Sequence, residues 1–295
     1  MIPKVSIIIL NWNGKEDTIE CLESLKNITY PNYEILLVDN GSTDGSVEFF
    51  KERYPEIDII ENGENLGFAE GNNIGIKKAI AKRTDYVLLL NNDTIVEKDF
   101  LDKLIKVAES DPKIGIVGPT VYYYSEKNKI QSAGTKISLS KGIITTLRSN
   151  KIDSGEYSNT SEVDSIIGCA LLAKSKLFET IGYLIKEYFA YWEETEWCVR
   201  ARKHGYKVVY VSQAKIWHKG GSTSKKTSGF FEYHTARNMF WFMKKHATKK
   251  QYIFFLVYFF GFRIWMLSAY IYQRGKINGL ISCYKGLIAG VKTYH

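Results

Sequence analysis

Residues 86–94 read Tyr86-Val87-Leu88-Leu89-Leu90-Asn91-Asn92-Asp93-Thr94. An apolar run followed at once by amides and a carboxylate is typical of a buried β-strand whose polar end emerges at the edge of a sheet. Short apolar runs predict further strands at Val5 to Leu10, Glu34 to Val38, Ile57 to Ile60 and Ile114 to Val117. Apolar residues recur at helical spacing between these runs. The pattern therefore predicts an α/β fold with a mostly parallel central sheet flanked by helices.

Composition and charge limit the classes of protein. The 295-residue chain is 45% hydrophobic, enough to bury a core, which excludes disorder as its main state. Its net charge of +8 is unevenly placed, because no Asp or Glu occurs from Tyr233 to His295. We expect a nearly neutral globular body with a basic, aromatic tail, and not a nucleic-acid-binding domain.

The cysteines indicate a reducing location. Cys21, Cys169, Cys198 and Cys283 are widely separated and match no CxxC or Cys/His ligand spacing. Neither a disulfide framework nor a structural zinc site is indicated. The run Val5 to Leu10 is too short for the apolar part of a signal peptide, so it is interpreted as a strand. A cytoplasmic location is therefore expected.

Polar segments follow four of the predicted strands, at residues 11–14, 39–44, 65–73 and 91–94. Open parallel sheets bind ligands in the crevice outside the carboxyl ends of their strands, so these segments are expected to meet. Asn, Asp, Gly and Ser are also common turn residues, and each segment alone favours a turn. Their coincidence at four strand ends favours a binding site.

Asp93 is a candidate ligand for Mg²⁺ or Mn²⁺. A carboxylate at this edge supplies an oxygen of the kind these cations prefer. Such a cation would offset the charge of a bound diphosphate. The alternative use of Asp93 is to cap a following helix through Thr94 and Ile95.

Ordered motifs extend from these segments through roughly the first 240 residues. The first group is SIIILNWNG (6–14), VDNGSTDGS (38–46), NLGFAEGN (65–72) and LNNDT (90–94). The second group is GCALL (168–172), YWEETEWCVRAR (191–202), Gly205-Tyr206, His218 and Arg237-Asn238. Together they resemble glycosyltransferase family 2, and within it the rhamnosyltransferase-like branch. Several motifs in the same order are far more specific than any one of them.

That resemblance implies a GT-A fold, a nucleotide-diphosphate sugar donor, a divalent cation and transfer with inversion at the anomeric carbon. The residues matching nucleotide-sugar-binding positions are Asn11, Asn13, Asp39, Asn40, Asn65, Gly67, Asn72 and Asn92. Asp93 and His218 match the metal positions, although the motif begins with Asn91 in place of the family's Asp. The acceptor side is matched by Gly168, Cys169 and Trp192.

The resemblance also implies that the general base is Glu194, with Glu193 as its rival, since the family commonly has Asp in the second place. Inverting transfer needs a carboxylate that takes the proton of the acceptor hydroxyl opposite the leaving diphosphate. From the residues alone, Glu193, Glu194 and Glu196 could equally form a solvated helix start favoured by the helix dipole. Ile185-Lys186 is a further departure, where relatives often carry Asp-Glu.

The tail contains one long apolar segment. Tyr252 to Tyr272 has Arg263 as its only charge, and about 20 apolar residues can span a bilayer. Because Arg263 would then lie near mid-membrane, an in-plane helix is expected instead. The face predicted to lie at the headgroups carries Tyr252, Phe259, Arg263, Tyr270 and Arg274, and the residues predicted to enter the acyl region are Phe254, Phe255, Ile264 and Trp265. The alternative is a core helix of the globular body.

These features predict a catalytic domain of residues 1–240 and a helical, membrane-associating region of residues 241–295, at the cytoplasmic face of the cell membrane. The expected partners are a dTDP- or UDP-linked sugar donor, a glycan or lipid-linked acceptor and the membrane surface, with no nucleic acid. The second hypothesis is a membrane-bound scaffold that binds nucleotide without turnover, motivated by Asn91 and Glu194. A dehydrogenase or nucleotidyltransferase is disfavoured because neither GxGxxG nor a P-loop follows the first strand.

Overall fold

The computed structural model describes residues 1–156, 159–220, 229–273 and 277–292. The strands are β1 Val5–Asn11, β2 Tyr33–Asp39, β3 Asp58–Glu61, β4 Tyr86–Asn91, β5 Thr94–Val96, β6 Ile114–Tyr123, β7 Ile130–Ser132, β8 Thr135–Ser138, β9 Ile143–Thr146, β10 Ser161–Glu162, β11 Ala170–Lys174 and β12 Lys207–His218. The helices are α1 Lys15–Leu25, α2 Ser46–Arg53, α3 Gly67–Ala81, α4 Phe100–Glu109, α5 Ser175–Ile181, α6 Glu193–Lys203, α7 Phe230–His246, α8 Lys249–Tyr258, α9 Ile264–Gln273 and α10 Ile277–Lys292. A short 3-10 helix covers Lys186–Tyr188, and a π-helix, Phe259–Arg263, joins α8 to α9.

One mixed sheet organises the body, and it confirms the predicted α/β fold. Its main path runs β10-β12-β6-β11-β4-β1-β2-β3. The pairs β1–β2, β1–β4, β2–β3 and β12–β6 are parallel, and β11 lies antiparallel between β4 and β6. Because β1, β2 and β4 run in the same direction, the polar segments that follow them meet at one edge of the sheet.

The strand sequences are continuously apolar because helices cover both faces of the sheet. Along β1, Ile7 and Ile9 pack in one core layer with α1 and α4, whereas Ile8 packs in the opposite layer with α3. All three side chains are fully buried. This two-sided burial fixes the strand register, since a slip of one residue would exchange the two layers.

The C-terminal helices form a third, aromatic cluster around α7. Phe240 and Phe242 of α7 are fully buried with Phe255 and Phe259. α10 lies close against α7, because a Cβ at Gly286 would be 2.2 Å from the carbonyl oxygen of Tyr233. The predicted boundary between residues 240 and 241 falls inside α7, and the division of the chain into two units stays a prediction.

The predicted orientation of the long apolar helix is partly wrong. Phe259 and Arg263 face the protein: Phe259 is fully buried, and Arg263 Nη1 donates to Gly142 O at 2.5 Å. Phe255, predicted to enter the acyl region, is buried too, whereas Phe254 and Trp265 are exposed. Helical spacing identifies residues that share a face, but it does not show that the β8–β9 turn and α7 cover one of those faces. Arg274, which was predicted to lie at the headgroups, is outside the described residues.

The helical segment Lys249–Gln273 is long and apolar enough to cross a membrane by length and composition, and 11% of its most apolar 18-residue window is buried. Large exposed hydrophobic side chains occur along α8, the π-helix, α9 and α10. We call this surface the apolar face; it consists of Ile253, Phe254, Val257, Phe260, Phe262, Trp265, Met266, Tyr270, Tyr272, Ile277, Ile281, Tyr284, Ile288 and Val291. Exposed hydrophobic surface of this extent indicates an interaction site.

Candidate active site

A cleft of about 1060 Å³ opens at the carboxyl ends of the parallel strands. The predicted site residues that line it are Asn40, Asn65, Gly67, Asn92, Asp93, Gly168, Cys169, Trp192, Glu193, Glu194 and His218. The other four, Asn11, Asn13, Asp39 and Asn72, are not lining residues, and three of them, Asn11, Asp39 and Asn72, are buried. The cleft therefore brings together residues that are as far apart in the chain as Asn40 and His218.

Asn11 and Asp39 form the base of one side of the cleft. Asn11 Nδ2 donates to Asp39 Oδ2 at 2.8 Å, and Ser42 N donates to Asp39 Oδ1 at 2.8 Å. Asn11 is fully buried and Asp39 is 3% exposed. Asn13 is close by, where its Oδ1 accepts from Thr43 N at 2.7 Å. The strand-end carboxylate is thus held rigidly, because both of its oxygens accept hydrogen bonds from the protein.

Asn40 extends this network to the start of α3. Its Nδ2 donates to Asn65 Oδ1 at 3.0 Å and to Gly67 O at 3.1 Å. Gly67 has a φ of +78°, and a Cβ there would be 2.6 Å from Phe189 O, so only glycine fits. Asn72 braces the first turn of α3, since its Nδ2 donates to Phe68 O at 2.8 Å.

Asn92 joins the ends of β4 and β1. Its Nδ2 donates to Thr18 Oγ1 at 2.9 Å and to Asn11 Oδ1 at 3.3 Å. A Cβ at Gly14 would be 2.5 Å from that nitrogen. We call this side of the cleft, made by Asn11, Asp39, Asn40, Asn65 and Asn92, the donor wall.

Asp93 does not cap a helix, so that alternative is wrong: it is followed directly by β5, which pairs antiparallel with β12 and places Thr94 opposite His218. The pairing brings His218 Nε2 to 3.1 Å from Asp93 Oδ1. Asp93 is 4% exposed. Burial alone would raise the pKa of Asp93, but the contact with His218 outweighs burial and lowers it, so Asp93 is a carboxylate at neutral pH.

The second ring nitrogen of His218 fixes its tautomer. Nδ1 lies 2.8 Å from Gln131 Oε1, an amide oxygen that can only accept, so Nδ1 carries the proton. Nε2, which is directed at Asp93, carries a proton when the ring is charged and presents a lone pair when the ring is neutral. Two lone pairs at this distance repel each other unless a proton or a cation lies nearby. Gln131 was not predicted as a site residue.

The donor atoms fit a divalent cation. A carboxylate oxygen and a neutral imidazole nitrogen suit Mn²⁺, and the carboxylate suits Mg²⁺. Among the residues that the structure describes, no group of three or more His, Cys, Asp or Glu side chains could hold a metal ion. Asp93 and His218 would therefore leave most coordination positions to other oxygens, such as those of a diphosphate.

Glu193 and Glu194 begin α6 and also line the cleft. Glu193 is 4% exposed, and Glu194 is half-buried. Within the described part of the chain, Oε2 of each side chain is buried without a hydrogen-bond partner. Burial raises the pKa of both carboxyl groups, and for Glu193 the neighbouring Glu194 adds to the rise. The alternative of a solvated helix start is wrong, because Glu193 and Glu196 are buried.

The predicted acceptor-side residues surround this pair. A Cβ at Gly168 would be 3.5 Å from Glu194 Cγ, so Gly168 lies against that side chain. Burial raises the pKa of the Cys169 thiol well above its usual value, which makes Cys169 an inert thiol. Trp192 packs against Phe242 with ring centroids 5.0 Å apart.

Two aromatic residues near the start of α7 complete this side. Phe230 and Phe231 line the cleft, and Phe231 is 47% exposed. We call the side made by Trp192, Glu193, Glu194, Phe230 and Phe231 the acceptor wall. Phe230 and Phe231 were not predicted, since no motif distinguishes them from other aromatic residues of the tail.

Comparison with known proteins agrees with this geometry. Residues 6–179 match the family model of Glycosyl transferase family 2, more than half of the chain. The chain belongs to this family, and its mixed, mostly parallel sheet is the GT-A fold.

Among its relatives is the low-salt glycan biosynthesis hexosyltransferase Agl10 of Haloferax volcanii, 24% identical over 99% of this chain and 92% of that protein. Another is the N-acetylglucosaminyl-diphospho-decaprenol L-rhamnosyltransferase of Mycobacterium tuberculosis, 26% identical over 77% of this chain and 80% of that protein. The mannosyltransferase PcManGT of Pyrobaculum calidifontis, solved with GDP-Man and Mn²⁺, superposes with a TM-score of 0.61 at 16% identity, covering 100% of this chain and 77% of that one.

Proposed function

We propose that this glycosyltransferase moves a sugar, with inversion, from a nucleoside-diphosphate donor to a hydroxyl group of a glycan or lipid-linked acceptor. The observation that carries the proposal is the pairing of two features in one cleft. Asp93 and His218 are in contact in the lining of this cleft, and Glu194, also in the lining, has a buried carboxylate oxygen without a hydrogen-bond partner among the described residues. An inverting transfer needs both a site for the leaving diphosphate and a base opposite it.

The donor wall would bind the nucleoside, with Asp39 as hydrogen-bond acceptor and Asn11 holding it in place. Asp93 and His218 would hold a divalent cation, which when bound neutralises charge on the diphosphate. The protein already keeps Asp93 ionised and directs Nε2 of His218 at it. Support comes from the solved relative that contains GDP-Man and Mn²⁺.

Glu194 would act as the general base. It is the more exposed of the two carboxylates, and Gly168 leaves room beside it. As the acceptor oxygen attacks the anomeric carbon, Glu194 takes the hydroxyl proton and the bond from that carbon to the diphosphate breaks. Attack opposite the leaving group inverts the configuration. Glu193 is buried behind it and is the weaker candidate.

The first donor to test is dTDP-linked rhamnose, and UDP-linked hexoses come next. The proposal is supported by relatives named as rhamnosyltransferases, one of which carries a diphospho-decaprenol acceptor in its name. Because related sugars differ by one hydroxyl group, pocket chemistry and not motif identity selects among them.

The apolar face would dock on the cytoplasmic surface of the membrane, with residues 241–295 as the membrane-associating region. The segment from Tyr233 onward has no acidic residue to repel anionic lipids. Arg263 and Phe259 hold the long helix to the body, so an in-plane arrangement fits better than a membrane span. The double substitution Phe254→Glu and Val257→Glu should abolish flotation with anionic vesicles. Glu52→Gln in α2, which is not part of the apolar face, should leave flotation unchanged.

The reaction itself is tested by its stereochemistry. The protein is incubated with a panel of dTDP-, UDP- and GDP-linked sugars, Mn²⁺ and a lipid-extract acceptor, and the product is analysed by NMR. A glycoside with anomeric configuration opposite to that of the donor is expected. A product of retained configuration would contradict the inverting mechanism, and no product from any donor would favour a nucleotide-binding scaffold instead.

A further inference from the structure

The backbone directly before the glutamate pair has an unusual conformation. Phe189, Tyr191 and Trp192 have φ angles of 64°, 69° and 77°. Large L-residues rarely adopt this left-handed region, and such conformations persist only where the surroundings hold them in place. We call residues 189–192 the left-handed segment. Since α6 begins at the next residue, the conformation of this segment sets where Glu193 and Glu194 point.

Asn238 of α7 holds one side of the left-handed segment. Its Nδ2 is within hydrogen-bond distance of three backbone carbonyls, those of Tyr188 at 3.0 Å, Ala190 at 2.9 Å and Tyr191 at 2.7 Å, so its two hydrogens are shared among them. Asn238 is fully buried. Because these carbonyls turn inward with the left-handed backbone, the amide compensates for burying them. A side chain without donor hydrogens would leave all three without this partner.

The first turn of α3 holds the other side. Phe189 O accepts from Phe68 N at 2.6 Å and from Ala69 N at 3.2 Å, in the first turn of α3. Gly67 allows this approach, since a Cβ there would collide with the Phe189 carbonyl. The left-handed segment is therefore fixed between α3, whose first residue Gly67 accepts from Asn40 of the donor wall, and α7, which packs against α10.

We propose that Asn238 is a positioning residue for Glu194, because its amide fixes the segment from which that carboxylate projects. Asn238 itself does not line the cleft among the residues described. This inference rests on the proposed function, in which Glu194 is the base. A displacement of about 1 Å in a reacting group can cost about 100-fold in rate. Loss of the amide should therefore lower turnover without weakening donor binding.

The test compares Asn238→Ala and Asn238→Ser with Thr120→Val as a matched control. Thr120 is also buried, at 1% exposure, and its hydroxyl pairs with Tyr210 OH at 2.7 Å and donates to Ser212 O at 2.9 Å, away from the cleft. All proteins are assayed well below their unfolding temperatures. We expect Asn238→Ala to lower kcat about 100-fold with the dissociation constant of the donor unchanged. Asn238→Ser keeps one donor hydrogen, so its kcat should lie between those of Asn238→Ala and the wild type.

Hydrogen exchange gives a readout that does not depend on the reaction. Backbone amides of residues 189–194 should exchange faster in Asn238→Ala, and those residues should be unaffected in Thr120→Val. Unchanged exchange there, or wild-type kcat in a folded Asn238→Ala, would overturn the inference while leaving the proposed function intact. An equal fall of kcat in Thr120→Val would show a general stability effect and also overturn it. Absence of transfer by the wild-type protein would instead overturn the proposed function.

Discussion

The two walls of the cleft are built in opposite ways. In the donor wall, Asn11 donates to Asp39 at 2.8 Å, and Asn40 donates to Asn65 at 3.0 Å and to Gly67 O at 3.1 Å, so these polar groups are paired within the protein. In the acceptor wall, Glu193 and Glu194 each keep a buried oxygen without a partner among the described residues, next to a left-handed backbone. Buried polar atoms without partners are costly and concentrate at functional sites.

The difference indicates a division of labour. A paired network keeps its shape before a ligand arrives, so the donor wall is preorganised for binding. The acceptor wall instead keeps its carboxylates available to a proton from the substrate, with raised pKa values that bring them nearer to neutral pH. Substitutions in the donor wall should therefore affect mainly affinity, and those in the acceptor wall mainly turnover.

The largest effect is expected for Glu194→Gln. The amide keeps the shape of the side chain but cannot take a proton, so kcat should fall by about 100- to 10,000-fold. Donor affinity, measured by calorimetry, should stay within a factor of about two of the wild-type value. Glu193→Gln is the matched variant, and a larger loss there than in Glu194→Gln would move the base to Glu193.

Asp39→Asn should produce the complementary effect. Hydrogen bonds to a charged group contribute about 1.5–3 kcal/mol, so the dissociation constant of the nucleotide should rise about 10- to 100-fold. Turnover at saturating donor should change little. Asp58→Asn in β3 is the control, because Asp58 pairs with Lys82 on the surface. A loss in kcat without a loss of affinity would contradict the assignment of Asp39 to donor binding.

The pH dependence separates the walls without mutation. Burial raises the pKa of Glu194 above the usual glutamate range, and the base must be deprotonated. The rate of transfer should therefore fall as pH decreases through a value above that range, about tenfold per pH unit on the acid side. The affinity for the donor should not decrease over the same pH range. An acid limb that lies at or below the ordinary pKa of glutamate would contradict a buried base.

The sequence predicted the donor wall better than the acceptor wall. Parallel strands bring their ends together wherever they lie in the chain, so Asn11, Asp39 and Asp93 could be placed at one edge from their positions after apolar runs. Gln131 and Phe230 reach the cleft only through long-range packing of β7 and α7, which leaves no local pattern. Arg263 points inward because it donates to Gly142 O, a residue far away in the chain. The spacing of residues along one helix could not predict this contact.

The smallest effect on the reaction is expected for a substitution of Glu196, which lies in α6 after Glu193 and Glu194. Burial alone would raise the pKa of Glu196, but the hydrogen bond from His246 and the charges of Arg200 and Lys245 outweigh burial and lower it to about 2. A lowered pKa in the folded state contributes stability above the unfolded-state pKa, and this contribution is lost as pH falls toward 2.

Glu196→Gln should therefore lower the free energy of unfolding by up to about 3 kcal/mol near pH 7, with a kcat close to that of the wild type once the protein is folded. The difference between the two proteins should shrink as pH falls below about 4.5, toward the folded-state pKa. Urea denaturation across this range measures it. A difference independent of pH would show that the charge of Glu196 is not its source.

Metal-dependent donor binding tests the central claim most directly. Nucleoside diphosphates and their sugar conjugates are titrated calorimetrically into the wild-type protein, Asp93→Ala and Glu194→Gln, each with and without Mn²⁺. The account predicts that one nucleotide binds tightly only with Mn²⁺, that Asp93→Ala loses this binding, and that Glu194→Gln keeps it. Binding that is the same with and without Mn²⁺, or that survives in Asp93→Ala, would contradict the assignment of Asp93 and His218 to the diphosphate site.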